Sequence, residues 1–168
     1  MALLKNGRLL EDRWVDADSL DGALRPGGVL VPLELWKAER LTLRGKSAVG
    51  VVLPNTADPA ELAGDYERLA AVALQFPAFA DGRAFSQARV IREKHGFKGE
   101  IRARGPLIPD QYLYLLRCGF DAVELPEGTD IEVWLRNARR YTTFYQPAAD
   151  DRVVAWRRRH ATPEAAAS

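Results

Sequence analysis

The sequence predicts an α/β protein with about five mostly parallel strands alternating with helices. They form an open sheet or a partial (βα)-barrel-like one, with a small hairpin at the N-terminus. Three observations predict it. Short apolar runs such as Val49–Leu53 alternate with stretches of helical period. The links between them are short, as in parallel βαβ units. The chain has 168 residues, whereas a closed eight-unit barrel takes about 250.

Taken in order, Asn6-Gly7 lies between Leu3–Lys5 and Arg8–Leu10 and favours a type I′ hairpin turn. Val29–Val31 is a short strand, followed by a short helix at Leu33–Arg40. Ala48–Leu53 is a β-branched strand ended by Pro54-Asn55. Asp58, Pro59 and Glu61 make an N-cap, a first-turn proline and a capping box. They start a helix whose stripe is Leu62, Tyr66, Leu69 and Ala73. Leu74–Ala80 is the third strand, weakened by Pro77. Ala84–His95 is a helix stopped by Gly96. Glu100–Arg104 is an alternating strand, Asp110–Cys118 a helix ended by Gly119, and Asp121–Leu125 a strand. Thr129 and Glu132 form a second capping box for a helix to about Tyr141, with Ile131, Trp134, Leu135, Ala138 and Tyr141 as its stripe. Residues 1–150 read as a single domain. Residues 151–168 are a tail that is first basic (WRRRH) and then Ala-rich.

Hydrophobic residues make up 47% and charged residues 28%, the balance of a soluble globular chain. A net charge of +1 gives no overall field for polyanions, so nucleic acid is not the expected partner. Apolar runs are too short to span a bilayer, and the N-terminus lacks a signal peptide's apolar stretch. No membrane partner and a cytoplasmic location follow as expectations. One cysteine, Cys118, forbids an intramolecular disulfide and any multi-thiolate metal site within one chain, and two histidines make a His-rich site unexpected. No metal is expected. No short phosphate, dinucleotide, thiol-redox or zinc motif is present, which leaves any cofactor unknown.

The chemistry-bearing residues crowd into Asp81–Phe120. Asp81-Gly82-Arg83 follows a strand and opens a helix, the carboxyl-edge position where open parallel sheets bind ligands. Guanidinium geometry suits a carboxylate, sulfate or phosphate. Ser86 lies near the helix start, where the dipole favours an anion, and Arg89 lies on the same helix. Arg102 and Arg104 point the same way on one strand and need carboxylates, solvent or a bound anion. Asp81, Asp110 and Glu124 are the candidate carboxylates, and Asp110-Gln111 open the next helix. Capping, a solvated helix face and a structural Arg–Asp network explain the same residues without a ligand. His95 reads as a packing residue and Cys118 as a buried, inert thiol. Tyr112–Leu116 is apolar all round, the pattern of a buried helix or of a homodimer interface.

At FADGRAFSQARVIRE, GEIRARGPLIPDQ and LLRCGFDAVEL the chain resembles the bacterial domain-of-unknown-function family nine-three-four, over about Val49 to Tyr145-Gln146. The matching positions are Asp81, Gly82, Arg83, Ser86, Arg89, Arg102, Gly105, Asp110, Gln111 and Gly119. Pro106 departs from the pattern, at a place where an Asp is expected in many relatives. The resemblance implies an oxidoreductase label and a place beside sulfite reductase or another sulfate-assimilation enzyme.

The resulting expectation is an accessory protein of assimilatory sulfite reduction. It binds a small oxyanion, or an acidic partner surface, through Arg83, Ser86, Arg89, Arg102, Arg104 and Gln111. Two alternatives stay open. One is a small enzyme with Asp81 or Asp110 as general base and arginines stabilising negative charge. The other is a non-catalytic dimeric scaffold joined through Tyr112–Leu116.

Overall fold

Asn6 and Gly7 adopt φ of 51° and 70°, the left-handed pair that a two-residue hairpin requires. They join β1 (Ala2–Lys5) to β2 (Arg8–Glu11). The computed structural model describes residues 2–150, 152 and 154–160. After the hairpin come β3 (Trp14–Asp16), α1 (Leu20–Ala23), β4 (Gly28–Pro32), α2 (Leu33–Leu43), β5 (Val49–Leu53) and β6 (Ala71–Gln75). Then follow α3 (Arg83–Arg89, continued by a π turn over Val90–Lys94), β7 (Glu100–Arg104), α4 (Tyr112–Cys118), β8 (Ala122–Leu125), α5 (Ile131–Ala138) and α6 (Ala155–His160).

These strands make one eight-stranded sheet in the order β2-β1-β8-β7-β6-β5-β4-β3. Strands β3 to β8 are parallel and in chain order, while β1 is antiparallel to both β2 and β8. The expected mostly parallel α/β sheet and its N-terminal hairpin are present. The strand count exceeds the expected five or so, because both hairpin strands join the main sheet and β3 adds an edge. Three residues of WVD are too short a run to announce themselves locally.

The sheet is curled. β2 and β3 occupy opposite edges, yet only Asp12 and Arg13 separate them. Three Cα–Cα steps span at most about 11 Å, so the two edges lie that close. Residues 8–16 are thus one extended segment that pairs with β1 at its start and with β4 at its end. The partial-barrel form of the expectation is the one observed.

Curling divides the side chains into two sets. Val29, Val31, Val51, Leu53, Val72, Leu74, Ile101, Ala103, Val123 and Leu125 face the helices and form the main core. The inner face carries a smaller apolar cluster of Leu30, Ala71 and Ala73, with Trp14 and Val52 packed on it. Small residues are required there. A Cβ on Gly50 would stand 2.7 Å from Leu30 Cδ2 and 2.8 Å from the Ala71 carbonyl oxygen.

Three local expectations are corrected. The segment begun by the Asp58 cap closes after one 3₁₀ turn at Pro59–Leu62, so Ala73 belongs to β6, which begins at Ala71 rather than Leu74. Asp130, not Thr129, caps α5 by accepting from the Glu132 N–H, while the Thr129 hydroxyl donates to the Pro126 carbonyl. Helix α5 stops at Ala138, and Tyr141 is exposed. Of the two readings of Tyr112–Leu116, a buried helix or a dimer interface, the buried helix is the one seen within the chain. Leu115 is fully buried and Tyr112 packs edge-on against Trp134 at 5.8 Å, leaving Tyr114 as its exposed large side chain. In the tail, Val154 bridges Phe144 of the preceding domain and α6 follows. Its Ala-rich end, 161–168, lies outside the described residues.

Candidate functional site

Arg102 sits on the inner face of β7 and is completely buried. The register places Ala73 on one side of it and Ala122 on the other, and these methyl groups leave room for the guanidinium. Its Nε donates to Glu100 at 2.7 Å, and Nη1 donates to Asp12 at 3.0 Å and to Glu124 at 3.3 Å. The guanidinium also lies over the Trp14 ring at 5.5 Å. Lys5 holds the other oxygen of Glu100 at 2.5 Å. Burial alone would lower the Arg102 pKa, but Glu100 and Asp12 more than offset it and the net shift is upward. Arg102 therefore carries a fixed charge that ties β7, β8 and the residue 8–16 segment together.

Arg104 lies two residues on, at the carboxyl end of β7. Its Nε and Nη2 fork onto Glu124 at 2.7 and 2.9 Å, and Nη1 donates to both Asp16 oxygens at 3.0 and 3.2 Å. Here too burial lowers the pKa, but Glu124 followed by Asp16 more than offsets it and the net shift is upward. Arg104 lines a cavity of about 300 Å³ at the carboxyl ends of β3 to β7. Its polar lining is Asp16, Asp18, Glu34, Gln75 and Arg104, and Leu30, Pro32, Leu33, Val52 and Pro54 supply the apolar walls. Carboxyl ends are where parallel α/β sheets place ligands. The first turn of α2 opens onto the same cavity through Leu33 and Glu34. Its N-cap is Pro32, which offers no side-chain hydrogen bond to the free N–H groups of that turn.

The other expected residues do not share this rim, and the convergence of arginines read from the sequence is corrected. Arg83 turns back on Asp81, with Nη2 to Oδ2 at 2.6 Å, and Asn55 donates to the same oxygen at 2.7 Å. Ser86 is exposed, and Arg89 pairs with Glu93 on the solvated face of α3. Arg92 fastens the opposite end of the sheet. It donates to the carbonyls of Gly119 (2.9 Å), Phe97 (2.6 Å) and Gly99 (2.8 Å) and to the Asp121 carboxylate. Gln111 accepts from the Ile108 N–H at 3.2 Å, a capping role, and Asp110 is exposed beside it. The reason is chain direction. α3 carries its arginines around the outside of the sheet, whereas β7 carries Arg102 and Arg104 into the curl.

Of the two carboxylates read as general bases, Asp81 is held well below the usual range, first by the Arg83 hydrogen bond. A carboxylate so stabilised is a weak base. Cys118 is buried, and burial pushes its thiol up. His95 stacks on Tyr66 at 4.9 Å. Among the described residues no group of three or more His, Cys, Asp or Glu is placed to hold a metal ion, and no helix is long and apolar enough to cross a membrane.

Sequence reasoning missed Asp12, Asp16 and Glu100 as partners of the arginines. The signal was Asp12, Trp14 and Asp16 at every second position, which is one face of a strand.

Fold and site together define a curled, mostly parallel α/β sheet with a small polar cavity at its carboxyl edge. The chain belongs to the family described as "Bacterial protein of unknown function (DUF934)", whose model matches residues 50–156. A comparison with curated proteins found no match. The matched span holds Gln75, Arg102, Arg104 and Glu124 but begins after Asp12, Asp16, Asp18 and Glu34.

Proposed function

We propose that this protein is a cytoplasmic accessory factor of assimilatory sulfite reduction that holds a small oxyanion in its carboxyl-edge cavity. The sulfite connection rests on the family resemblance. One observation supports the oxyanion: Arg104 and the uncapped first turn of α2 line the same cavity. The cavity-side Nη1 of Arg104 and the uncapped N–H groups of the helix start together suit an oxyanion. Arg104 replaces the wider arginine set in this role, since Arg102 is sealed from solvent and Arg83 and Arg89 are paired elsewhere. Sulfite reductase, or another sulfate-assimilation enzyme, is the proposed protein partner.

Thermal unfolding at constant ionic strength tests the reading. Sulfite or sulfate raises Tm relative to chloride, because a ligand bound only by the native state stabilises it. Arg104→Ala removes the effect and Arg89→Ala retains it. No shift with any oxyanion, in wild-type protein with intact circular dichroism, overturns the proposal. Failure to co-purify with the reductase rejects the partner while leaving the ligand.

A further inference from the structure

The buried network has one carboxylate in surplus. Lys5, Arg102 and Arg104 are its cations, and Asp12, Glu100, Glu124 and Asp16 are its anions. Three of those carboxylates are enclosed: the side chains of Asp12 and Glu100 are 10% exposed and that of Glu124 is 1% exposed. Asp16 differs, with a side chain 57% exposed. It sits at the end of a three-residue edge strand that pairs on one side only, with β4.

The two carboxylates on Arg104 are therefore unequal. Glu124 takes Nε and Nη2 from inside the curl, where replacing it would bury an uncompensated charge. Asp16 takes Nη1 from the cavity side, and both residues line that cavity. An oxyanion reaching Arg104 from the cavity must put its oxygen where the Asp16 oxygens now lie.

We infer that Asp16 is a built-in competitor that occupies the oxyanion seat on Arg104 and swings into solvent when a ligand anion takes its place. The inference rests on the oxyanion reading of this cavity and adds its regulation. With Asp16 released, the three network cations face three enclosed carboxylates, and an incoming singly charged anion restores the network's charge against the repulsion of Asp18 and Glu34 across the cavity. Releasing an exposed ion pair is inexpensive, because solvent screens it in both positions. The device sets a threshold: weak anions are excluded by the tethered carboxylate, and an oxyanion that also reaches the N–H groups of α2 displaces it.

The test compares sulfite affinity, by calorimetry and thermal shift at fixed ionic strength, among wild type, Asp16→Asn and Asp18→Asn. Each substitution removes one negative charge from the cavity, but only the first frees Arg104. Sulfite is expected to bind Asp16→Asn about tenfold more tightly than wild type, with Asp18→Asn changing affinity less than about threefold. Equal gains in both variants, or none in Asp16→Asn while wild type binds, overturn the competitor role and leave the oxyanion reading standing. Absence of sulfite binding in all three proteins overturns both. Because Asp16 is exposed on an edge strand, Asp16→Asn is expected to fold, which circular dichroism verifies before titration.

Discussion

Asp12 and Arg102 stand 90 positions apart in the chain, and their side chains meet at 3.0 Å on the inner face of the sheet. Asp12 belongs to the two-residue crossing between opposite edges, and Arg102 to a strand in the sheet's interior. The contact fastens the curl from within, and it brings three carboxylates around a guanidinium that no solvent reaches.

Arg102→Met is therefore expected to be severely destabilising. It leaves Asp12, Glu100 and Glu124 enclosed without their shared cation, a change that costs about 3–5 kcal/mol when a buried pair is broken. Urea unfolding measures it. A loss below about 1 kcal/mol would mean that water already screens these groups.

Gly105 follows Arg104 with φ +137°, and a Cβ there would stand 2.1 Å from the Phe76 carbonyl oxygen. Gly105→Ala combines backbone strain with a clash against backbone, for which about 2–4 kcal/mol is expected. A thermal melt checks it. An unchanged Tm would show that the loop after β7 relocates without cost.

Asp81 yields a pH prediction. Its folded pKa is depressed by the Arg83 hydrogen bond. The carboxylate thus contributes stability that is present above the unfolded value of about 4 and lost as pH falls through the folded one. Carbon-detected NMR of the Asp81 carboxyl is expected to show it still ionised at about pH 3, and Arg83→Ala moves its midpoint upward. An ordinary midpoint in wild type would reject the pairing and reopen Asp81 as a base.

Leu115→Glu is expected to abolish folding rather than dissociate an assembly, because Leu115 is wholly enclosed. Tyr114→Glu, at a residue 54% exposed, keeps the fold. Circular dichroism with light scattering separates the outcomes. A folded Leu115→Glu protein of reduced mass would restore that helix as an interface.

Much of the architecture was readable residue by residue. Asn6-Gly7 declares a hairpin through its left-handed dihedrals, and Asp58-Pro59 with Glu61 declares the N-cap, although the helix expected after it is a single turn. Alternation in EIRAR marks β7 with its own boundaries. Each of these signals is local, acting over two to four neighbours, so no folded context is needed to read it.

What lay beyond the sequence was the set of partners. Helical and strand periods show that Arg102 and Arg104 share a face, but not that Asp12 and Asp16 face them from the opposite end of the chain. Arg83 and Arg89 looked equally suited to an anion and proved to be paired on the outside of the sheet. The sequence by itself determined the alternation of strands and helices, the hairpin and the charged face of β7. Tertiary structure alone decided how far the sheet curls and which carboxylate meets which arginine. Those outcomes depend on strand order and on one extended segment reaching both edges, and long-range closure of that kind leaves no periodic trace in the local sequence.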